Sequence, residues 1–173
     1  FRGDFYTIGE SDELAALTYV LDTSFPDPVA RRYRVYTGTS AAFSDVFVPE
    51  TSTAFALRPI WALRNSVLYV TTPYQLGRVK NVYRFALPAS TPSTSAALPF
   101  WAQSIAAGTD YVYCLEDWGG SSTDQIYKLD ATTLALVDTL DSPYSPDKQA
   151  SGRVIVNEDG DLFYVRGTSV ATN

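Results

Sequence analysis

The 173-residue sequence predicts an all-β fold built from repeated units. Segments rich in Tyr, Val and Leu recur along the chain. Tyr19, Tyr69, Tyr113 and Tyr164 mark them at spacings of 50, 44 and 51 residues. The content of 46% hydrophobic, 14% aromatic and 18% charged residues is typical of a globular protein, and the many Tyr, Val and Thr residues favour pleated surfaces. Helical periodicity is not sustained over any window of about 12 residues, so we expect strands throughout.

Each unit is predicted to hold four short strands in a fixed order. The first contains an Ile eight or nine positions before the marker Tyr, and the second contains the marker itself. The third carries Tyr, a basic residue and an apolar residue, beginning 14 positions after the marker, as in Tyr33-Arg34-Val35, Tyr83-Arg84-Phe85 and Tyr127-Lys128-Leu129. The fourth follows as "SDVFVPE", "TSAALPF" and "LALVDTL". Turn formers such as "AGTD" and "NEDGD" separate the strands.

A helix competes with this interpretation in the segment "DQIYKLDATTLALVDTL", from Asp124 to Leu140, and "SDELAAL" is compatible with a single helical turn. The apolar residues of the longer segment can be placed on one helical face, but several of its residues are β-branched Thr and Val. The repeat resolves the question in favour of strands. "DQIYKLD" aligns with third strands, "ATT" is a turn and "LALVDTL" aligns with fourth strands.

The repeats divide one predicted domain, residues 1–173, into units at about 5–50, 58–99, 102–142 and 152–168. A small antiparallel sheet cannot cover both of its own faces, so neighbouring sheets must stack. The repeated Tyr, Ile and Val positions are expected to fill the space between them. A buried Tyr ring removes about 150–250 Å² from water, so these rings are expected to dominate the packing.

The run "TDYVYCLEDWGGSSTDQIYKLDATTLALVDTL", followed by "GRVIVNEDGDLFYV", resembles the YVTN and PQQ-like class of β-propeller repeats. The match is good over residues 102–166, fair over 58–101 and weak over 1–57. Units one and two lack the Asp that follows "IYKL" in unit three. The resemblance implies a β-propeller-like fold of about three and a half four-stranded blades, either four-bladed or part of a larger propeller.

The fourth predicted unit, at about 152–168, contains only two of the four strands of a blade. Three arrangements would complete it: the chain is part of a larger propeller, the segment Phe1 to Gly9 closes a four-bladed ring, or another subunit donates the missing strands. The expected partners are therefore other protein subunits, bound by strand pairing or by blade stacking.

The resemblance also implies that loops between second and third strands form a ligand-binding face. Three such loops carry an aromatic residue five or six positions after the marker Tyr, namely Phe25, Tyr74 and Trp118. Asp117 and Asp124 accompany Trp118, and we predict these five residues as ligand-binding, with glycans as a second class of partner. The alternative is that each ring folds back over its own blade.

Composition excludes several other functions. The net charge of −6 disfavours nucleic acid, and no apolar run approaches the length of a membrane span. The chain has no His, and its one cysteine, Cys114, lies between apolar residues and is interpreted as a core residue. "NEDGD" resembles part of a calcium loop, but a hairpin built on Asp159 and Gly160 explains it better. We predict no catalytic residue, no metal and no cofactor.

These observations predict a non-catalytic structural or binding module of an extracellular or virion-type assembly, such as a filament, a phage tail or capsid, or a surface protein. The absence of Met and the start at Phe1 suggest that setting, through removal of a leader or membership of a longer chain. Two alternatives remain open: a lectin-like carbohydrate-binding propeller, and a propeller enzyme with a carboxylate-bound metal in its central channel.

Overall fold

The computed structural model describes residues 15–19, 30–37, 43–49, 60–71, 80–116, 125–141, 152–157 and 159–166. Within these ranges all regular structure is β-strand, arranged in four antiparallel sheets, and no helix occurs. The all-β prediction is confirmed for this part of the chain.

The second and third sheets each have four strands that pair in chain order. We number all strands in chain order through the four sheets. The second sheet comprises β4 (Ile60–Arg64), β5 (Val67–Thr71), β6 (Asn81–Ala86) and β7 (Thr94–Ala97). The third comprises β8 (Ala102–Ala107), β9 (Tyr111–Glu116), β10 (Gln125–Asp130) and β11 (Leu136–Asp141).

The first and fourth sheets have fewer strands among the described residues. The first sheet comprises β1 (Ala15–Tyr19), β2 (Ala30–Thr37) and β3 (Phe43–Pro49). The fourth comprises β12 (Gly152–Val156) and β13 (Leu162–Arg166). By sequence position, β1 corresponds to the second strand of a unit and β12 to the first. The segment Phe1 to Gly9, predicted as a possible closing strand, lies outside the described residues.

The ambiguous segment near residue 130 forms two strands, β10 and β11, joined by a turn, as predicted. The Asp130 carboxylate organises this turn by accepting hydrogen bonds from the Thr132 amide at 3.0 Å, the Thr133 amide at 2.7 Å and the Thr133 hydroxyl at 2.9 Å. These bonds, chiefly those from Thr133, lower the pKa of Asp130 because they stabilise its ionised form. Local side-chain to backbone bonding of this kind favours a turn over a helix.

The four sheets pack face to face in chain order. We call the face of each sheet that points to the following sheet its forward face and the opposite one its backward face; for the fourth sheet, the forward face is the one that points away from the third sheet. Three clusters of buried side chains fill the three junctions. The first–second junction includes Val35, Val46, Leu68 and Phe85; the second–third junction includes Ala62, Tyr69, Val112 and Leu129; the third–fourth junction includes Tyr113, Leu115, Ile126 and Val154.

Burial falls from the first to the last strand within a sheet. In the third sheet, β8 and β9 are almost wholly buried, β10 is buried only at Ile126 and Leu129, and β11 is exposed over much of its length. The second sheet shows the same gradient from β4 to β7. The first strands lie side by side, since β4 contacts β8 and β8 contacts β12. The sheets are therefore closest together at their first strands.

The register of strand pairing shows that only units two and three repeat in phase. Tyr69 lies opposite Arg84, and Tyr113 lies opposite Lys128, so each marker Tyr points forward beside the basic residue of the next strand. In the first sheet Tyr19 lies opposite Tyr33, one residue out of phase.

The fourth sheet departs from the expected repeat as well. Phe163 pairs with Ile155 in the way that Tyr113 pairs with Ala106, so Phe163 occupies the forward marker position. Tyr164 faces backward and packs on the third sheet. Tyr164 fills the space between two sheets, as expected of the marker tyrosines, but it does so from the backward face, because strand alternation places neighbouring residues on opposite faces.

The hairpin between β12 and β13 forms at the predicted position. Gly160 adopts a φ of 89°, a left-handed conformation that glycine tolerates without steric cost. Its amide donates to the Asn157 carbonyl at 3.1 Å, and the Asp161 amide donates to Asn157 Oδ1 at 2.7 Å. The Asn157 amide nitrogen Nδ2 donates in turn to Asp161 Oδ2 at 3.1 Å. The polar side chains described here therefore serve the turn.

Candidate functional site

The five ligand-binding residues predicted from the sequence, Phe25, Tyr74, Trp118, Asp117 and Asp124, all lie outside the described residues. The strands that bound their segments are described. β1 ends at Tyr19 and β2 begins at Ala30, β5 ends at Thr71 and β6 begins at Asn81, and β9 ends at Glu116 and β10 begins at Gln125. Each predicted residue therefore belongs to a connection between second and third strands, and its role stays a prediction.

Glu116 holds together the strand ends beside the connection that contains Trp118. Its side chain is only 7% exposed, and its Oε2 accepts a hydrogen bond from the Gln125 amide at 3.3 Å. The Gln103 side-chain amide donates to the Glu116 carbonyl at 2.9 Å, which ties β8 to the same point. Glu116 therefore acts as a structural anchor at the base of this connection.

A polar contact joins the second and third sheets within their apolar junction. The Tyr69 hydroxyl donates to the Ala131 carbonyl at 2.7 Å, and Arg84 Nε donates to the same oxygen at 3.0 Å. Arg84 Nη1 also donates to Ser93 Oγ at 2.8 Å. Burial raises the pKa of Tyr69, although the neighbouring Arg84 opposes the shift. Because two donors converge on one carbonyl, this contact specifies how the two sheets align.

The third sheet presents the equivalent pair to the fourth. Tyr113 is buried at this junction, and burial raises its pKa. Lys128, opposite Tyr113, places Nζ 3.8 Å from the centre of the Tyr111 ring. The Val154 amide of β12 donates to Ser104 Oγ at 3.2 Å, which links the two first strands. The forward faces of the second and third sheets therefore both combine Tyr, a basic side chain and small residues.

The forward face of the fourth sheet is exposed. It is formed by Ile155, Phe163 and Val165, whose side chains are 36%, 50% and 48% exposed, and by exposed Arg153. In the second and third sheets the corresponding positions are buried, because another sheet packs on that face. These positions are Ala62, Tyr69 and Thr71 in the second sheet and Ala106, Tyr113 and Leu115 in the third. A contiguous apolar face of this kind is a mark of an interaction surface.

The backward face of the first sheet is the second exposed surface. Phe43 and Phe47 lie on it, exposed by 50% and 36%, while Val46 and Val48 point to the second sheet and are buried. Arg34 makes a two-point ion pair with Asp45, with Nε 2.8 Å from Oδ1 and Nη2 3.2 Å from Oδ2. The Arg34 guanidinium also lies 3.7 Å from the centre of the Phe43 ring. This face is therefore mixed, apolar with one satisfied ion pair.

Cys114 is buried in the second–third junction and is a poor nucleophile. Burial raises the pKa of its thiol from 9.0 to about 12, so the thiol is protonated at neutral pH. This agrees with its interpretation as a core residue.

The same shift makes stability depend on pH. Above about pH 9 the unfolded chain releases the Cys114 proton while the folded chain retains it, so the free energy of unfolding should fall by up to ~1.4 kcal/mol per pH unit. Cys114→Ala should show a flatter decline between about pH 9 and 10 in denaturant titrations. Buried Tyr69 and Tyr113, whose pKa values are also raised, act in the same direction at higher pH. Equal slopes for the two proteins would contradict the buried environment of this thiol.

Among the described residues, no three His, Cys, Asp or Glu side chains converge in a way that could hold a metal ion. The same part of the chain contains no helix with the length and apolar character needed to cross a membrane.

Comparison with known proteins does not assign the chain to a family. No protein-family model matches the sequence, and no curated protein is similar to it. The geometry of the sheets is therefore the basis for a functional proposal.

Proposed function

We propose that this chain is a β-propeller-type module with a non-catalytic role, structural or binding, in a protein assembly. The observation that carries the proposal is the exposed forward face of the fourth sheet, at positions that the preceding sheets bury under a neighbour. A face patterned as a sheet junction but lacking its second sheet is suited to receiving one from a partner. The extracellular or virion setting remains a prediction of the sequence.

The burial gradient supports the propeller component of this proposal. Flat layers stacked with equal spacing would bury all strands of an internal sheet to a similar extent. Here β8 is buried and β11 is exposed, and the neighbouring first strands β4, β8 and β12 contact one another in turn. Close contact at the first strands together with exposed last strands is what a radial arrangement of propeller blades predicts, and it supports the proposal.

Protein binding is favoured over the two alternatives by the character of the exposed surfaces. The forward face of the fourth sheet carries Ile155, Phe163 and Val165, which suit an apolar sheet better than a sugar or a metal. The lectin-like alternative depends on Phe25, Tyr74 and Trp118, and the enzyme alternative depends on converging carboxylates. Both alternatives therefore depend on residues or contacts other than this face.

The test is the size of the native particle that contains this chain. We expect native mass spectrometry of the chain, isolated from the cells or particles that produce it, to show a complex much heavier than 19.0 kDa. Phe163→Asp should weaken that complex because a charge on the forward face must be desolvated on contact. Val137→Asp is the matched control, because Val137 is exposed but lies on the outer strand β11 of the third sheet.

A free 19.0 kDa chain in that material would contradict the proposal. The enzyme alternative predicts in addition a rise in melting temperature with calcium, magnesium or manganese, since a site filled at 100 times its dissociation constant adds about 2.7 kcal/mol. A free chain that shows this rise would replace the proposed function with the enzyme alternative.

A further inference from the structure

The three junctions among the described residues each use opposite faces of successive sheets, so each internal sheet packs on a neighbour with both of its faces. The forward face of the first sheet meets Leu68 and Phe85, the forward face of the second meets Val112 and Leu129, and that of the third meets Val154 and Val156. Two faces are covered by no other described sheet, the forward face of the fourth sheet and the backward face of the first.

The forward face of the fourth sheet has the register of a junction face. Ile155 lies opposite Phe163 as Ala106 lies opposite Tyr113 and as Ala62 lies opposite Tyr69. In both earlier sheets this pair is buried by the next sheet. The last pair has Ile in place of Ala and Phe in place of Tyr, so both of its side chains are apolar and neither carries a hydroxyl that needs a hydrogen-bond partner. The face therefore continues an established series of interfaces.

The face it requires is a backward face, and the first sheet exposes one. Phe43 and Phe47 supply its apolar area, and the Arg34–Asp45 pair has its charges already matched, so covering the pair leaves neither charge without a counterion. Phe43 and Phe163 are each 50% exposed in the same molecule, so the two faces do not cover each other within one chain.

We propose that the forward face of the fourth sheet docks on the backward face of the first sheet of a second copy of this chain. This inference rests on the proposed function, because it names the partner of the same assembly module. The contact is heterologous, since each copy uses a different face on each side. Repetition of such a contact produces a closed ring if the rotation closes and an open filament if it does not.

The size of the surface sets the expected strength. A stable pair of proteins buries about 800 Å² on each partner, and a face two strands wide offers less than that. Association is therefore expected in the weak, concentration-dependent class, with a dissociation constant in the micromolar range or above, on the order of 1 μM or more.

The experiment is sedimentation velocity over a concentration series with the full chain. We expect the wild-type protein to form larger species as concentration rises. Phe163→Asp disables the forward face, and Phe43→Asp disables the backward face. Each variant alone should have a dissociation constant at least 10-fold higher than the wild type, so it should be monomeric at concentrations where the wild type associates. An equal mixture of the two should form dimers and nothing larger, because it contains one intact forward face and one intact backward face for each pair.

Folding controls are built into the design. Phe43 and Phe163 are half exposed, so both variants should keep the circular dichroism spectrum of the wild type. Val137→Asp, which alters an exposed apolar residue outside the two faces, should assemble like the wild type and excludes nonspecific hydrophobic association.

A wild-type protein that remains monomeric at its highest soluble concentration overturns the inference. If that monomer nevertheless occurs in a large native complex, the proposed function stands, and the docking partner is a different protein. A mixture that yields no dimer, or a Phe43→Asp variant that assembles like the wild type, overturns the pairing of these two faces.

Discussion

Tyr113→Ala should cost about 3–5 kcal/mol of unfolding free energy, because it leaves a ring-sized cavity between the third and fourth sheets. Tyr113 is 6% exposed and contacts a cluster that includes Leu115, Ile126 and Val154. The two-stranded fourth sheet has no other described sheet to hold it, so losing this ring should release β12 and β13 first. Denaturant titration followed by both circular dichroism and tryptophan fluorescence measures the effect.

The matched variant Tyr113→Phe keeps the ring and removes only the hydroxyl. It should cost about 1 kcal/mol or less, within the usual net contribution of one hydrogen bond. If Tyr113→Ala and Tyr113→Phe have equal effects, the ring does not fill the junction as the structure shows.

Phe85→Ala is expected to have an effect of the same size at the first–second junction. Phe85 is fully buried on β6, opposite Leu68, and it packs with Val46 and Val48 of the first sheet. Phe→Ala substitutions in cores cost about 3–5 kcal/mol. Both the transition midpoint and its slope against denaturant should be measured, since a lower slope would indicate that the first sheet has already detached.

Phe85→Leu is the comparison, because it keeps most of the apolar volume and should cost about 1.5 kcal/mol or less. A Phe85→Ala variant that loses less than about 1 kcal/mol would show that the first sheet does not cover this residue. The two core variants together test whether the sheets are held by their junctions rather than by their own hydrogen bonds.

Strand positions could be predicted from the sequence with good accuracy in units two and three. The spacing from marker Tyr to basic residue placed β5, β6, β9 and β10 correctly, and the β-branched residues after Asp130 indicated a turn and a strand instead of a helix. These features depend on local chemistry, namely alternation of apolar residues, β-branching and turn formers, and local chemistry is readable in a chain.

The phase of the repeat could not be predicted in the same way. Tyr19 pairs with Tyr33, whereas the marker tyrosines of the second and third sheets pair with the basic residue one position further on, so Tyr33 lies on the forward face. In the fourth sheet, Phe163 occupies the position where a Tyr was expected. A shift of one residue in a strand exchanges its two faces, and the sequence motif is identical before and after the shift. The convergence of Tyr69 and Arg84 on the Ala131 carbonyl was missed for a different reason, because it joins residues of two sheets that are 62 and 47 positions apart in the sequence.

The chain's composition and periodicity were enough to specify strands, turns and the need for stacked sheets, because those follow from residue types within a few positions of one another. Which faces remain open was decided only by the three-dimensional packing. Ile155, Phe163 and Val165 have the same alternation as core residues, and their exposure depends on whether another sheet lies against them. That depends on contacts between units distant in the chain, and no local pattern encodes them.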